Sequence, residues 1–340
     1  MAYVNVSEII IPDIWVPYSL QLTTELDNFI QSGIVATDEE FNTLSLGGGT
    51  TVQMPFFNDL VGTDTVIASG GTLVPEDMTT GRDVAALHNR QHAWSAEDLA
   101  GILAGSDPSG VFAQRNAYFW MRKRQQTLFS TLQGAFANAS LAGLVNNIAF
   151  NGTGSIGTAN YLTGSSLIDS TALLGDAQES LAAIAMHSQV EASLRKQDLI
   201  DFIPDSEGKT MISTFQGKRV IVNDLMPVTV SNGHNVYTSY IFGQGAVAYG
   251  DGGFNEPISG GFGTWRMEQA RVALGGITNW ISRVRFILHV RGIKWLNGAT
   301  NALAGPSPSN TELTDPTNYT LVFQKKHIRV VQVQHNILGQ

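Results

Sequence analysis

The sequence contains no cysteine, which removes disulfides, thiolate nucleophiles and Cys-ligated metal from consideration. No apolar run reaches the ~18 residues that a membrane span needs. The first residues lack a basic segment leading into an apolar one, so no secretory signal is expected. Bases are missing from a whole quarter of the chain. No Lys or Arg precedes Arg82, whereas 11 of the 29 acids lie in the first 81 residues. The net charge of −9 argues against a nucleic-acid reader with a broad basic face. The uneven distribution fits either a solvated acidic arm or an acidic N-terminal part that rests on the basic remainder of another copy. Such complementarity chiefly sets register and partner choice.

What is present is organised around residues 107–141. Asp107 suits a helix cap and Pro108 a first helical position. Val111, Tyr118, Met121, Leu128, Leu132, Phe136 and Ala139 recur at helical spacing and predict one buried stripe. Gly143 is the expected stop, and Gly134 a soft point costing about 1 kcal/mol against Ala. Arg115, Arg122, Lys123 and Arg124 are expected on the exposed face.

Residues 1–46 read as an arm. Its isoleucines near Ile10, together with Trp15, form a sticky segment broken by Pro12 and Pro17; 25–32 is a candidate short helix, and TDEEF at 37–41 starts another. Gly47, Gly48 and Gly49 mark a hinge. Residues 47–93 read as an extended ribbon of strand-like runs at 51–60, 65–68 and 84–88. Pro55 confines the first run to an edge. Such a ribbon is marginal in water unless it lies on a partner. A short capped helix is expected over 94–108, with Ser95 and Asp98 at capping-box spacing. Helices are expected at 169–186 and 187–197, and strands at 208–227, 235–253, 281–296 and 319–336. The last two are expected to return against the long helix. The stretch 150–277 is the best candidate for a self-sufficient α/β block.

No constellation of catalytic residues emerges. Gly152, Gly154 and Gly157 spell G-x-G-x-x-G, but a helix end precedes them and a polar loop follows, the wrong setting for a dinucleotide. His88 and His92 lack the Glu that a zincin motif requires. His289 sits mid-strand and reads as structural. Asp198 and Asp201 flank an apolar pair in a polar turn and read as solvated. There is no G-x-S-x-G elbow. Neither enzyme activity nor a cofactor is expected.

Several blocks occur in an order that resembles the major capsid proteins of tailed bacteriophages, the Hong Kong 97-like fold. They are PFFNDL (55–60), WSAEDLAGILAGSDP (94–108), MHSQVEASLRKQDLIDFIPDSEGK (186–209), GKRVIVNDLMP (217–227), YIFGQGAVAYGDG (240–252), RFILHVRGIKW (285–295) and the 307–333 segment that ends in VVQV. The resemblance implies an α+β fold of five parts. These are an N-terminal arm (1–46), an extended β loop (47–93), a peripheral domain with a long spine helix (94–149), an axial α/β domain (150–277) and return strands of the peripheral domain (278–340). It further implies a structural protein that self-assembles through hexamers and pentamers into an icosahedral shell around a double-stranded DNA phage genome. Assembly would occur in the host cytoplasm and the product would be the virion capsid. Portal and decoration proteins are implied partners, and packaged DNA would be touched non-specifically. Two family devices are missing. No loop lysine exists for a Lys–Asn isopeptide cross-link, because the first Lys is Lys123. No charged helical leader precedes the arm, which points to a separate scaffolding protein. Inter-subunit contacts are then expected from Trp15, Phe56 and Phe57 as anchors. The bases Arg115, Arg122, Lys123, Arg124, Lys325, Lys326 and Arg329 would receive a neighbour's carboxylates. The alternatives are an encapsulin-like nanocompartment shell with the same fold, and a hydrolase built on Ser, His and Asp.

Overall fold

The computed structural model describes residues 33–37, 39–64, 66, 75–97, 108–204, 211–251, 265–272, 276–299 and 301–338. Most of the arm, including Trp15 and the 25–32 helix, lies outside the described residues. So do Asp107, Asp98 and the 65–68 strand apart from Val66.

The described chain opens with β1 (Val35–Thr37) and α1 (Glu39–Leu46). A bend at Gly47–Gly49 follows, and then the hairpin of β2 (Thr51–Phe57) and β3 (Thr80–Glu97). Pairing runs from Thr51↔Ala86 to Phe57↔Thr80. β2 is the edge strand, as Pro55 requires. The capped helix expected over 94–108 does not begin at Ser95. Trp94 to Glu97 continue β3, because Trp94 pairs with Trp280 and Glu97 with Ile277.

The spine is α2 (Pro108–Ala137), 30 residues and about 45 Å long. It stops before Leu141 because Asn138 leaves helical geometry (φ −74°, ψ 135°) and its side chain caps the 3-10 segment 139–144. The Asn138 amide also donates to the Pro316 and Tyr319 carbonyls at 2.7 and 2.9 Å. Leu128, Leu132 and Phe136 are buried as the stripe predicts.

Next come β4 (Val145–Asn147), α3 (Gly164–Ala172) and β5 (Leu181–Met186). The last of these overturns the helix expected over 169–186. Its LAAIAM run favours helix on propensity, yet it sits between a parallel and an antiparallel neighbour, where an apolar run fits a central strand. His187 caps α4 (Ser188–Lys196), accepting from the Gln189 amide. The strands β6 (Asp201–Pro204), β7 (Met211–Phe215), β8 (Lys218–Val222), β9 (Val228–Ser231), β10 (His234–Gly243) and β11 (Val247–Gly250) follow. After them come β12 (Trp265–Val272), β13 (Ile277–Val290) and β14 (Ile293–Trp295). The single strand expected over 281–296 is broken at Gly292 (φ +85°) into β13 and β14. The chain closes with α5 (Asn310–Leu313), β15 (Tyr319–Leu321) and β16 (Val330–His335).

Among the described residues these strands form two large sheets and a small β14–β15 pair. The first sheet has the order β1-β11-β13-β3-β2, with β12 also on β13. The second has the order β4-β16-β10-β5-β8-β7-β6, with β9 on β10. Several strands cross the boundaries read from sequence. β11 and β12 join the first sheet although they lie within 150–277, and β4 and β16, from outside that range, enter the second sheet, with β16 beside β10. The last strand is therefore an interior strand of the second sheet. α2 spans both sheets. Trp120 Nε1 donates to Ser282 Oγ of β13 at 2.8 Å. Asn223, just after β8, donates to Gln125 at 3.0 Å. Phe136 packs on Tyr240 of β10. One contiguous apolar core runs through both layers. A small satellite of Val52, Ala85, Leu87 and Ile287 underlies the hairpin root.

Candidate assembly surfaces

At the root of the β2–β3 hairpin, Asp83 is buried and makes three contacts. It accepts from His289 Nε2 at 2.9 Å and from the Gly292 amide at 2.8 Å through Oδ2. The Val84 amide meets Oδ1 at 2.9 Å. Burial alone would raise this carboxyl, but the His289 hydrogen bond and charge, with the two amides, outweigh it and hold it below the usual carboxylate range. His289 is thus the structural histidine that its mid-strand position suggested. Beside it, Phe56 meets Phe323 edge-on at 4.7 Å. One expected inter-subunit anchor is therefore engaged within its own chain.

The far end of the hairpin is different. Phe57 is 71% exposed, Leu60 and Val61 78%, Val66 92% and Met78 61%. Asp59, Asp64, Glu76 and Asp77 are exposed among them. An apolar cluster of this kind on an arm, interleaved with acids, marks an interaction surface. Leu60 falls in the strand-like run 51–60, but β2 stops at Phe57; Val61 and Met78 escaped the sequence reading because they lie beyond the strand-like runs in polar sequence. Their signal is the same acidic, base-free stretch that drew attention to the loop.

The basic residues separate into groups. Arg124, expected on the exposed face, is buried. Its Nη2 lies 3.6 Å from Asp251, and its guanidinium sits over the Tyr249 and Phe286 rings at 5.3 and 5.8 Å. It joins α2 to the first sheet and is not presented to a neighbour. The reason is rotational: Trp120, Arg124, Leu128 and Leu132 recur four apart on one buried face. Arg115 and Arg122 are half-buried, and Lys123 is exposed, donating to Gln126. Lys325, Lys326 and Arg329 are exposed around a 3-10 turn. Lys326 pairs with Asp176 at 2.8 Å and Arg329 donates to the Gln244 carbonyl at 3.2 Å. The Lys326 pair is open to solvent and weakly held by screening. Lys123 and the 325–329 turn are the bases best placed to take new partners.

The other motifs dissolve in the fold. His88 and His92 lie four residues apart along β3, about 13 Å at strand rise, too far to share a metal. Among the described residues no group of His, Asp and Glu could hold a metal ion. The G-x-G-x-x-G glycines lie in a loop that leads into a 3-10 turn at Thr158–Asn160, and the next α-helix starts only at Gly164.

Two buried histidines couple the fold to pH. His88 is wholly buried against Phe286, with centroids 5.1 Å apart. Neither of its nitrogens has a well-placed partner. Burial, with the Arg90 charge next, lowers it to about 3 despite a poorly aligned contact with the Leu288 backbone. Burial likewise lowers His335 to about 4, although its ring meets Ser239 Oγ at 2.9 Å and the Asn336 carbonyl at 3.0 Å. Both folded values lie below the unfolded value of about 6.5. Between them the unfolded chain binds protons that the folded chain refuses, so this stability is present above pH 6.5 and is lost as pH falls toward 3. Going from pH 7 to pH 5 should remove about 2 kcal/mol per ring. Urea midpoints will show it, and His88→Phe should abolish about half of the slope. A slope unchanged in that variant would exclude His88 as a source.

Comparison with known proteins places these surfaces in context. The family described as major capsid protein 13-like (Gp13-like) matches residues 107–328. The chain is 40% identical to the major capsid protein of Bacillus phage SPP1 over 340 residues, covering 99% of both chains. The capsid of Ralstonia phage GP4 superposes with a TM-score of 0.60 at 10% identity, over 89% of this chain and 87% of that one. The SrpI encapsulin of Synechococcus elongatus PCC 7942 reaches 0.50 at 11% identity, over 77% of this chain and 79% of that one. The two solved structures share the fold, and the full-length sequence identity separates the phage reading from the encapsulin one.

Proposed function

The chain belongs to the Gp13-like family of phage major capsid proteins, with the Hong Kong 97-like fold, and from that premise we propose how it builds its shell. A major capsid protein is a structural subunit that assembles with copies of itself in the virion capsid. Here the copies close head-to-tail into hexamers and pentamers that tile an icosahedral shell around double-stranded DNA. The N-terminal arm and the β2–β3 hairpin lie across neighbouring subunits. Phe57, Leu60, Val61 and Met78 supply the apolar contact. Asp59, Asp64, Glu76 and Asp77 meet a neighbour's bases. Lys123, Lys325, Lys326 and Arg329 are the receiving group, with Arg115 and Arg122 at its margin; Arg124 is withdrawn from it because it is buried. Trp15 remains a proposed anchor of the arm. Assembly takes place in the host cytoplasm with a separate scaffolding protein, and portal and decoration proteins complete the head. Contact with packaged DNA is non-specific, and no catalytic step is involved.

The observation carrying this reading is the hairpin, locked at its root and uncovered at its tip. Standard interfaces bury about 1,200–2,000 Å², and their central apolar residues carry about 2 kcal/mol or more each. Leu60→Asp with Val61→Asp should therefore leave the subunit folded, since both side chains are exposed, and abolish shell formation. Electron microscopy and sedimentation of the purified variant test it. Normal shells from the double variant would sink the hairpin assignment.

A further inference from the structure

Three Asn–Gly dipeptides occur in the described chain, at 151–152, 232–233 and 297–298. In this dipeptide the glycine amide nitrogen can attack the asparagine Cγ, unhindered by a side chain. The five-membered ring that forms requires the peptide unit after the asparagine to swing toward its own Cβ. A backbone pinned in a tight turn cannot make that swing.

Two of the sites are pinned. Asn232 and Gly233 have φ of +48° and +86° in the turn that joins β9 to β10, with Ser231 paired to His234. Asn232 Nδ2 is also committed to the Asn151 carbonyl. Asn297 and Gly298 have φ of +52° and +72°, closed by the Ala299 amide on the Leu296 carbonyl at 3.2 Å. Both are two-residue turns with positive φ at each centre, the type whose geometry is most fixed.

The third is free. Asn151 is exposed and outside the left-handed region. Neither its side-chain amide nor the Gly152 N–H has a hydrogen-bond partner among the described residues. The loop is anchored on either side. The Phe150 amide donates to Asn336 Oδ1 at 2.7 Å and the Gly157 amide to Asn160 Oδ1 at 3.2 Å.

We propose that Asn151–Gly152 is a site of spontaneous deamidation in the folded subunit, and that Asn232 and Asn297 are protected by their turns. The Gly152 nitrogen bonds to Asn151 Cγ and loses its proton, and ammonia leaves from Cγ. Water then opens the succinimide at either carbonyl, yielding aspartate or isoaspartate. Isoaspartate carries an extra methylene into the main chain and displaces the Asn151 carbonyl that holds the Asn232 turn. The ageing of this loop is thereby coupled to the β9–β10 hairpin.

The test is peptide mass mapping of the purified full-length protein incubated at pH 8.5 and 37 °C, with a sample in denaturant alongside. The expected result is a gain of about 1 Da at residue 151 in the folded sample, split between aspartate and isoaspartate. Residues 232 and 297 should react only in denaturant, and Gly152→Ala should slow the reaction at 151 many-fold. Equal rates at all three folded sites would overturn the proposal. So would reaction at 232 or 297 ahead of 151, or an unchanged rate in Gly152→Ala.

Discussion

Gly134→Ala is expected to destabilise the subunit by about 3 kcal/mol or more, although helix propensity alone favours Ala by about 1 kcal/mol. A Cβ at this position would stand 2.0 Å from the Leu313 carbonyl oxygen and 2.8 Å from Tyr319 Cε2. Neither obstacle can yield cheaply. The Leu313 oxygen is backbone and already accepts the Tyr319 hydroxyl at 2.8 Å. Leu313 ends α5, whose capping box ties Ser309 to Glu312. Tyr319 begins β15 and packs edge-on against Trp295 at 5.2 Å. A methyl group on α2 must therefore push away the whole 309–319 segment or bend the helix. Overpacking costs about 1–3 kcal/mol when side chains can relax, and more when backbone must move. Losing the buried Tyr319–Leu313 bond adds about 1 kcal/mol. Thermal or urea unfolding of the variant gives the answer. A midpoint equal to or above that of the native protein would show that the close approach of α5 to α2 is wrong.

The same glycine shows where sequence reasoning reached and where it stopped. The spine, the edge placement of the Pro55 strand and the strands within 208–227 follow from local chemistry, and the structure contains them. Local chemistry misread Gly134 as a soft point because the reason for glycine lies 179 residues away, at Leu313. It misread Leu181 to Met186 as helix because only the neighbours β8 and β10 make that run a strand. It exposed Arg124 because an arginine beside Arg122 and Lys123 reads as surface. Tyr249, Asp251 and Phe286, which enclose it, come from another part of the chain. Of the proposed assembly surface, the acidic bias of the loop was legible and its apolar tip was not. Exposure is a property of the fold, and Phe56 and Phe57 are indistinguishable in sequence. One packs on Phe323 and the other is open.

Asp83→Ala should cost about 3–5 kcal/mol and should impair assembly beyond the loss of stability. Removing one partner of a buried pair strands the other, and that is where a cost of this size arises. Here the variant would leave His289 Nε2, the Gly292 amide and the Val84 amide without their acceptor at a buried site. Each stranded donor costs about 1–3 kcal/mol, partly relieved by water if the site opens. Position gives the effect its second part. Asp83 lies on β3 opposite Met54 of β2, where the hairpin leaves the body. Its two long-range partners lie on β13 and on the turn that breaks β13 from β14. The carboxylate therefore fixes the hairpin root both to β13 of the first sheet and to the turn that leaves it. Without it the root keeps only apolar packing beside its strand pairing, from Phe56 on Phe323 and the Val52, Ala85, Leu87 and Ile287 cluster, and the tip would sample directions that no longer meet a neighbour. Asp83→Asn separates the two contributions, because its amide oxygen can keep one backbone N–H while the charge is lost. The expected order of stability is native, then Asp83→Asn, then Asp83→Ala, read from urea midpoints at pH 7. Shell yield should fall in the same order, even at temperatures where each variant remains folded. An Asp83→Ala midpoint within about 1 kcal/mol of native would exclude the carboxylate as the latch. Full shell yield from a folded Asp83→Ala subunit would exclude the hairpin's root angle as a condition of assembly.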